Sequence, residues 1–179
     1  MKEIYTKRLI LRNFTPEDAK DLQEIIISKE TSKYAIYDNE FPTSLEEVKK
    51  VNHRFSLGDK FLAVWEPIDQ KVIGFICLNG DSEDMLDLGF CFNALYHGKG
   101  YATEASSAVI DYAFNTLLVE HLESGTANLN DPARRLLEKL RFTKQNEETL
   151  SFRKTPDGKP IEFIGSNYLL EKDEWFKRK

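Results

Sequence analysis

The sequence predicts an α/β fold: one mixed, mostly antiparallel sheet of about seven strands with helices on both faces. Three observations carry that expectation. First, residues 61–92 read as strand, turn, strand, turn, strand, with Pro67-Ile68-Asp69-Gln70 and Asn79-Gly80-Asp81-Ser82 as the turns, the pattern of an antiparallel meander. Second, the last of these strands runs through glycines into a helical stripe, and a further, weakly alternating strand follows over 121–128. Third, Pro156-Asp157-Gly158 between Phe152 and Ile161 is a turn with a physical basis, and it marks a closing hairpin.

Each element follows from its residues. Residues 8–14 alternate loosely as a strand with burial on both faces. Thr15-Pro16-Glu17-Asp18 opens a helix, with Thr as cap, Pro at the first position and an acid at the third. Ala19, Leu22, Ile25 and Ile26 form its apolar side. From Ser28 to Pro42 the period is lost, and the aromatics Tyr34, Tyr37 and Phe41 either pin this long loop to the core or wall a substrate site. Ser44-Leu45-Glu46-Glu47 is a capping box for a second helix that stops near Gly58. In the strand before the glycines, Leu86, Leu88, Phe90 and Phe92 share one face, and Asp87 falls on the other. Beyond them, Ala105, Ala108, Val109, Tyr112, Ala113, Thr116 and Leu117 make one stripe of a helix. Asp131 can cap a short later helix with Pro132 at its first position. Residues 175–179 read as a basic, frayed end. No repeat or linker interrupts residues 1–179, so a single domain is expected.

Composition narrows the function. A net charge of −5 argues against nucleic-acid or anionic-membrane partners. No apolar run approaches the ~20 residues of a membrane span, and Met1-Lys2-Glu3 begins no signal peptide. The two cysteines, Cys77 and Cys91, and the three histidines, His53, His97 and His121, make no metal-ligand spacing, so no metal is expected. A reducing cytoplasm is the simplest address.

The chemistry concentrates in Gly98-Lys99-Gly100-Tyr101-Ala102-Thr103. Glycines leave backbone N–H groups bare, and the helix that follows adds its N-terminal partial charge, a combination suited to phosphate. A nucleotide P-loop is excluded because no Gly-Lys pair is followed by Ser or Thr. A dinucleotide fingerprint fails at Thr103, where a third glycine is required.

A third reading fits. Residues 95–105 resemble the acyl-CoA pyrophosphate loop of the GNAT superfamily of N-acetyltransferases, usually [QR]-x-x-G-x-[GA]. Gly100 and Ala102 match, and His97 stands where Gln or Arg is usual. The run Gly-Lys-Gly-Tyr-Ala-Thr-Glu-Ala is most like the branch of ribosomal-protein N-terminal acetyltransferases, where Trp is common at the position of His97. That branch also carries Asn-x-x-Ser-x-x-x-Leu-Glu-Lys-x-Gly-Phe. Asn130, Leu137, Glu138, Lys139 and Phe142 match it, with Ala133 replacing Ser and Arg141 replacing Gly.

The resemblance implies a single-domain acyl-CoA N-acyltransferase fold, acetyl-CoA as co-substrate and an amine acceptor, either a small molecule or a protein N-terminus. It implies that His97, Gly98, Lys99, Gly100, Tyr101, Ala102 and Thr103 hold the pyrophosphate and that Asn130 meets the pantetheine arm. It also implies a bulge on the Asp87 strand that frees a backbone donor between Gly89 and Phe92, with Phe90, Cys91 and Phe92 lining the acyl arm. Asp87 stands where the branch has Glu and is the expected base. Tyr34 and Tyr37 are expected substrate contacts. The family's usual acid is missing, since Leu137 replaces Tyr; a tyrosine of the 28–42 loop or water would have to protonate the thiolate. Cys91 has no visible His or acidic orienter to make it an acyl carrier. The alternative to an enzyme is a catalytically weak acyl-CoA-binding module serving as sensor or interaction partner. The sequence leaves the oligomeric state open.

Overall fold

The computed structural model describes residues 3–177. Eight strands form one sheet: β1 (Ile4–Tyr5), β2 (Ile10–Arg12), β3 (Phe61–Glu66), β4 (Lys71–Asn79), β5 (Met85–Phe92), β6 (His121–Ala127), β7 (Thr143–Lys154) and β8 (Pro160–Glu171). Their order across the sheet is β1-β2-β3-β4-β5-β6-β8-β7. Every neighbouring pair is antiparallel except β5 and β6, which run parallel. The expected meander is β3-β4-β5, and the closing hairpin is β7-β8. The strand expected over 8–14 is shorter, and β1 adds a further edge strand that sequence alternation did not reveal.

Helices cover both faces. α1 (Ala19–Glu30) and α2 (Leu45–Ser56) pack on one, where Leu22, Ile25, Val48, Val51 and Phe55 meet Phe75 of β4. α3 (Tyr101–Tyr112) packs on the other, against Leu88, Phe92, Leu122 and Leu170. α4 (Asp131–Lys139) adds the buried Leu137 to this second layer. β4 is buried along almost its whole length, as a central strand with helices on both sides must be.

Three sequence expectations change. The buried stripe of α3 is Ala105, Ser106, Val109, Ile110, Ala113 and Phe114, rotated from the expected one, and Thr116 and Leu117 are exposed. A π-helical turn at Ala113–Leu117 ends the helix there and breaks the 3.6-residue period. Asn130, not Asp131, caps α4: its Oδ1 accepts from the Ala133 N–H at 3.4 Å, and Pro132 therefore stands one position further in. The tail is not frayed over its described part. α5 (Lys172–Phe176) docks through Trp175 Nε1–H donating to Asp111 at 2.8 Å and Phe176 against Phe114; residues 178–179 lie outside the described residues.

Candidate active site

The central feature is a parting of the two parallel strands. β5 pairs with β4 up to Phe92, and β6 pairs with β8 up to Ala127, yet β5 and β6 pair with each other only over Met85–Asp87 and His121–Glu123. Ser124 Oγ–H donates to the Leu88 carbonyl at 2.8 Å at the fork, and beyond it the strands separate. The β4–β5 register runs without a shift from Asn79↔Asp87 to Gly74↔Phe92, so the expected bulge on the Asp87 strand is absent. The opening comes from strand divergence instead.

Alternation in an antiparallel pair decides which backbone groups face that opening. Asn93 N–H donates to the Ile73 carbonyl at 2.9 Å, which places Cys91 and Gly89 among the residues bonded to β4. Leu88, Phe90 and Phe92 therefore turn their backbone groups toward β6. The Leu88 carbonyl is taken by Ser124, and the Phe92 carbonyl lies 2.9 Å from His97 Nε2. The Phe90 N–H and carbonyl face the fork, where the strand has no pairing partner among the described residues.

At the mouth of the fork lies the glycine loop. Gly98 and Gly100 have φ of 73° and 80°, the left-handed region that glycine enters without penalty. No atom within 4 Å would meet a Cβ on Gly98, so its outer face is bare. Gly100 is the N-cap of α3, and this bare turn ends at the positive pole of a 12-residue helix. His97 reaches back to Phe92, and Lys99 Nζ lies 5.0 Å from the Tyr96 ring. Tyr101, Ala102 and Thr103 form the first turn of α3. Arg8 and Glu104, which sequence reading did not select for the site, join here: Arg8 Nε–H donates to Glu104 Oε2 at 2.7 Å, and Nη1–H to the Lys99 carbonyl at 2.9 Å. No local spacing could have revealed a pair so far apart in the chain.

Asp87 lies on the α1–α2 face of β5, opposite Leu86, Leu88 and Phe90. It keeps an exposed surface; partial loss of hydration raises its pKa from the ordinary value, the Asn79 side chain at 3.5 Å works against this, and Glu123 on the neighbouring strand adds to the rise. Cys91 is on that same face, and enclosure lifts its thiol to about 12, so almost none is thiolate at neutral pH.

The 28–42 loop is ordered by contacts. Tyr34 and Tyr37 stand 6.4 Å apart, and Tyr37 packs edge-on against Phe163 of β8 at 5.1 Å. Phe41 packs against the α1–α2 core cluster, as Cys91 does, which puts this loop on the Asp87 face. Lys29 holds Asp38 Oδ2 at 3.2 Å and Glu30 at 3.1 Å, and Arg153 of β7 holds Glu30 at 2.9 Å and the Asp38 carbonyl at 2.8 Å. Glu40, the other acid on this loop, is exposed. On α4, Leu137 is fully buried and Ala133 offers no hydroxyl.

A sheet forked between parallel strands, with a bare glycine turn at a helix N-terminus beside the fork, can be compared with known proteins. Residues 8–143 match the family model described as "Acetyltransferase (GNAT) domain". An uncharacterized N-acetyltransferase, p20, of Bacillus licheniformis is 29% identical over 151 residues, covering 81% of this chain and 84% of its own. A GNAT-family acetyltransferase from Bacillus anthracis superposes with a TM-score of 0.81 at 22% identity, over 97% of this chain and 100% of its own. Mycobacterium smegmatis RimJ in complex with CoA-disulfide superposes with a TM-score of 0.77 at 14% identity, over 98% and 90%. This chain belongs to the GNAT acetyltransferase family and is an acetyltransferase.

Proposed function

We propose that the whole chain acts as one domain that transfers the acetyl group of acetyl-CoA to a primary amine by direct attack within a ternary complex. The observation that carries this reading is the fork itself: Phe90 presents unpaired backbone groups to a cleft whose mouth is a bare glycine turn at a helix N-terminus. That cradle fits a pyrophosphate, because backbone N–H groups and a helix pole recognise anions without side chains in the way. The residues that would hold it are Gly98 to Thr103. Asn130 commits its Oδ1 to capping α4, which leaves its amide N–H groups for a pantetheine carbonyl.

The reaction sets the remaining roles. An alkylamine has a pKa near ~10 and must lose a proton before it attacks. Asp87, its pKa raised by its surroundings, is the base, directly or through one water. The amine nitrogen bonds to the thioester carbonyl carbon, whose oxygen becomes an oxyanion stabilised by a fixed donor, the Phe90 N–H. The C–S bond then breaks and the thiolate takes its proton from water, since α4 supplies no hydroxyl. Cys91 takes no part. Tyr34 and Tyr37 line the acceptor side together with the loop that carries Asp38. The branch motifs around Gly100 and Asn130 support a protein N-terminus as acceptor. The buried Leu137 and the small Ala133 favour the second reading, an acyl-CoA-binding module with little turnover.

The test of the loop is Gly100→Val. At φ 80° a β-branched residue is strained, and its Cβ would stand 3.5 Å from Arg8 Nη2; relieving the strain would shift the turn and lose the shape of the cradle. Calorimetry should show acetyl-CoA binding lost; unchanged affinity would remove the loop from the site.

A further inference from the structure

We propose that Arg8 is a positioning residue of the phosphate loop, a role that rests on the reading of that loop as the pyrophosphate cradle. Arg8 comes from the turn between β1 and β2, on the opposite edge of the sheet from the cleft's α4 side, and reaches three parts of the loop at once. Its Nη1–H donates to the Lys99 carbonyl at 2.9 Å, its Nε–H to Glu104 Oε2 at 2.7 Å, and its guanidinium lies 4.3 Å from the centre of the Tyr101 ring. A Cβ on Gly100 would stand 3.5 Å from its Nη2, so the guanidinium also covers one side of that glycine.

Two consequences follow from elementary chemistry. The carbonyl and the N–H of one planar trans peptide point in opposite directions. Holding the Lys99 carbonyl toward Arg8 therefore aims the Gly100 N–H away from it, to the outer side of the turn. Gly100 cannot fix that orientation itself, because glycine is the residue least restrained in φ and ψ.

The second consequence concerns charge. Glu104 sits in the first turn of α3, beside the site that must accept a dianion. Burial would raise its pKa, but Thr6 Oγ–H at 2.7 Å, Arg8 N–H at 2.8 Å and the Arg8 guanidinium more than offset this and hold it below the usual range. Glu104 is thus ionised, and without Arg8 its charge would repel phosphate. Arg8 converts that carboxylate from a competitor of the ligand into an anchor for the loop.

The experiment compares CoA, which carries the pyrophosphate, with pantetheine, which does not. Wild-type protein should bind CoA far more tightly by calorimetry, with pantetheine followed by its thermal shift; equal affinities would refute the loop reading itself. Arg8→Gln should weaken CoA by about tenfold or more, the scale of a lost charge-assisted hydrogen bond, and leave pantetheine unchanged. Arg8→Gln combined with Glu104→Gln should recover part of the loss, because the repelling carboxylate is gone. If Arg8→Gln kept the wild-type ratio of CoA to pantetheine affinity, or weakened both ligands equally, the positioning role would be overturned. Should Arg8→Gln fail to fold, Arg8→Lys, which keeps the charge but loses the fork, is judged by the same ratio and should fall between the two.

Discussion

At the scale of single residues, Asp87, the proposed base, carries the sharpest expectation. Its raised pKa has a kinetic and a thermodynamic consequence of known sign. Protonated Asp87 cannot accept a proton, so the acid limb of the rate profile should lie above the ordinary carboxylate range. A carboxyl whose pKa is higher folded than unfolded favours the protonated form in the fold, so its contribution to stability declines as pH rises through that pKa. Asp87→Asn should therefore lower kcat by ~10²–10⁴, leave acetyl-CoA affinity unchanged, and not lower the melting temperature at neutral pH. The kinetic defect should shrink toward alkaline pH, where more amine arrives unprotonated. Wild-type kcat in Asp87→Asn at neutral pH would pass the role to water or to Asp38 or Glu40. The role of Asp87 was proposed from the family resemblance, but the face it occupies was legible because alternation separates it from Leu86 and Leu88. Its partner Glu123 was not, because a parallel register across a helical crossover leaves no trace in local spacing.

At the scale of elements, the glycine turn and the hairpin were readable because each depends on a short run of residue types, whereas the cap of α4 was expected one residue late, at Asp131 instead of Asn130. The fork was not readable: it depends on how two strands separated by α3 diverge, and the family resemblance implied a bulge in its place. The turn after α4 shows how a departure from family pattern becomes structure. Arg141, where the related branch has Gly, holds φ at 71°, a left-handed conformation that costs a side-chain-bearing residue roughly 1 kcal/mol. Its Nη1–H donates to the Glu174 carbonyl of α5 at 2.7 Å, an exposed contact that offsets little of this. Arg141→Gly should raise the midpoint of urea unfolding without altering acetyl-CoA affinity. A fall in stability would mean that the tether to α5 outweighs the backbone strain.

At the scale of the whole molecule, the two faces of the sheet divide the work. The α3 side carries the glycine turn proposed to hold the cofactor, and the α1–α2 side carries Asp87 and the loop proposed to face the acceptor. That loop is strapped between α1 and the closing hairpin by Lys29, Glu30 and Arg153. Glu30 is desolvated, which by itself would raise its pKa, but Lys29, the Phe41 N–H and Arg153 outweigh burial and lower it. A depressed carboxylate pKa stabilises above the unfolded value near ~4.3 and loses that contribution as pH falls through the folded value. Acid should thus release the strap, and Arg153→Ala, which leaves Glu30 with fewer partners, should destabilise by ~1–3 kcal/mol in chemical unfolding at neutral pH. The difference between variant and wild type should narrow once Glu30 is protonated. The sequence flagged the loop by its length and its tyrosines, but the bonds from Arg153 to Glu30 and to the Asp38 carbonyl join residues more than a hundred positions apart.

The central claim is that the fork and its loop deliver an acetyl group to an amine. The most direct measurement is release of free CoA thiol from acetyl-CoA across a panel of small amines and peptides with free N-termini, with the acetylated product identified by mass. The account predicts amine-dependent thiol release that saturates in both substrates, yields an N-acetyl product and is slowed by Asp87→Asn. Tight acetyl-CoA binding with no amine able to release thiol, or acetyl recovered on Cys91, would contradict it.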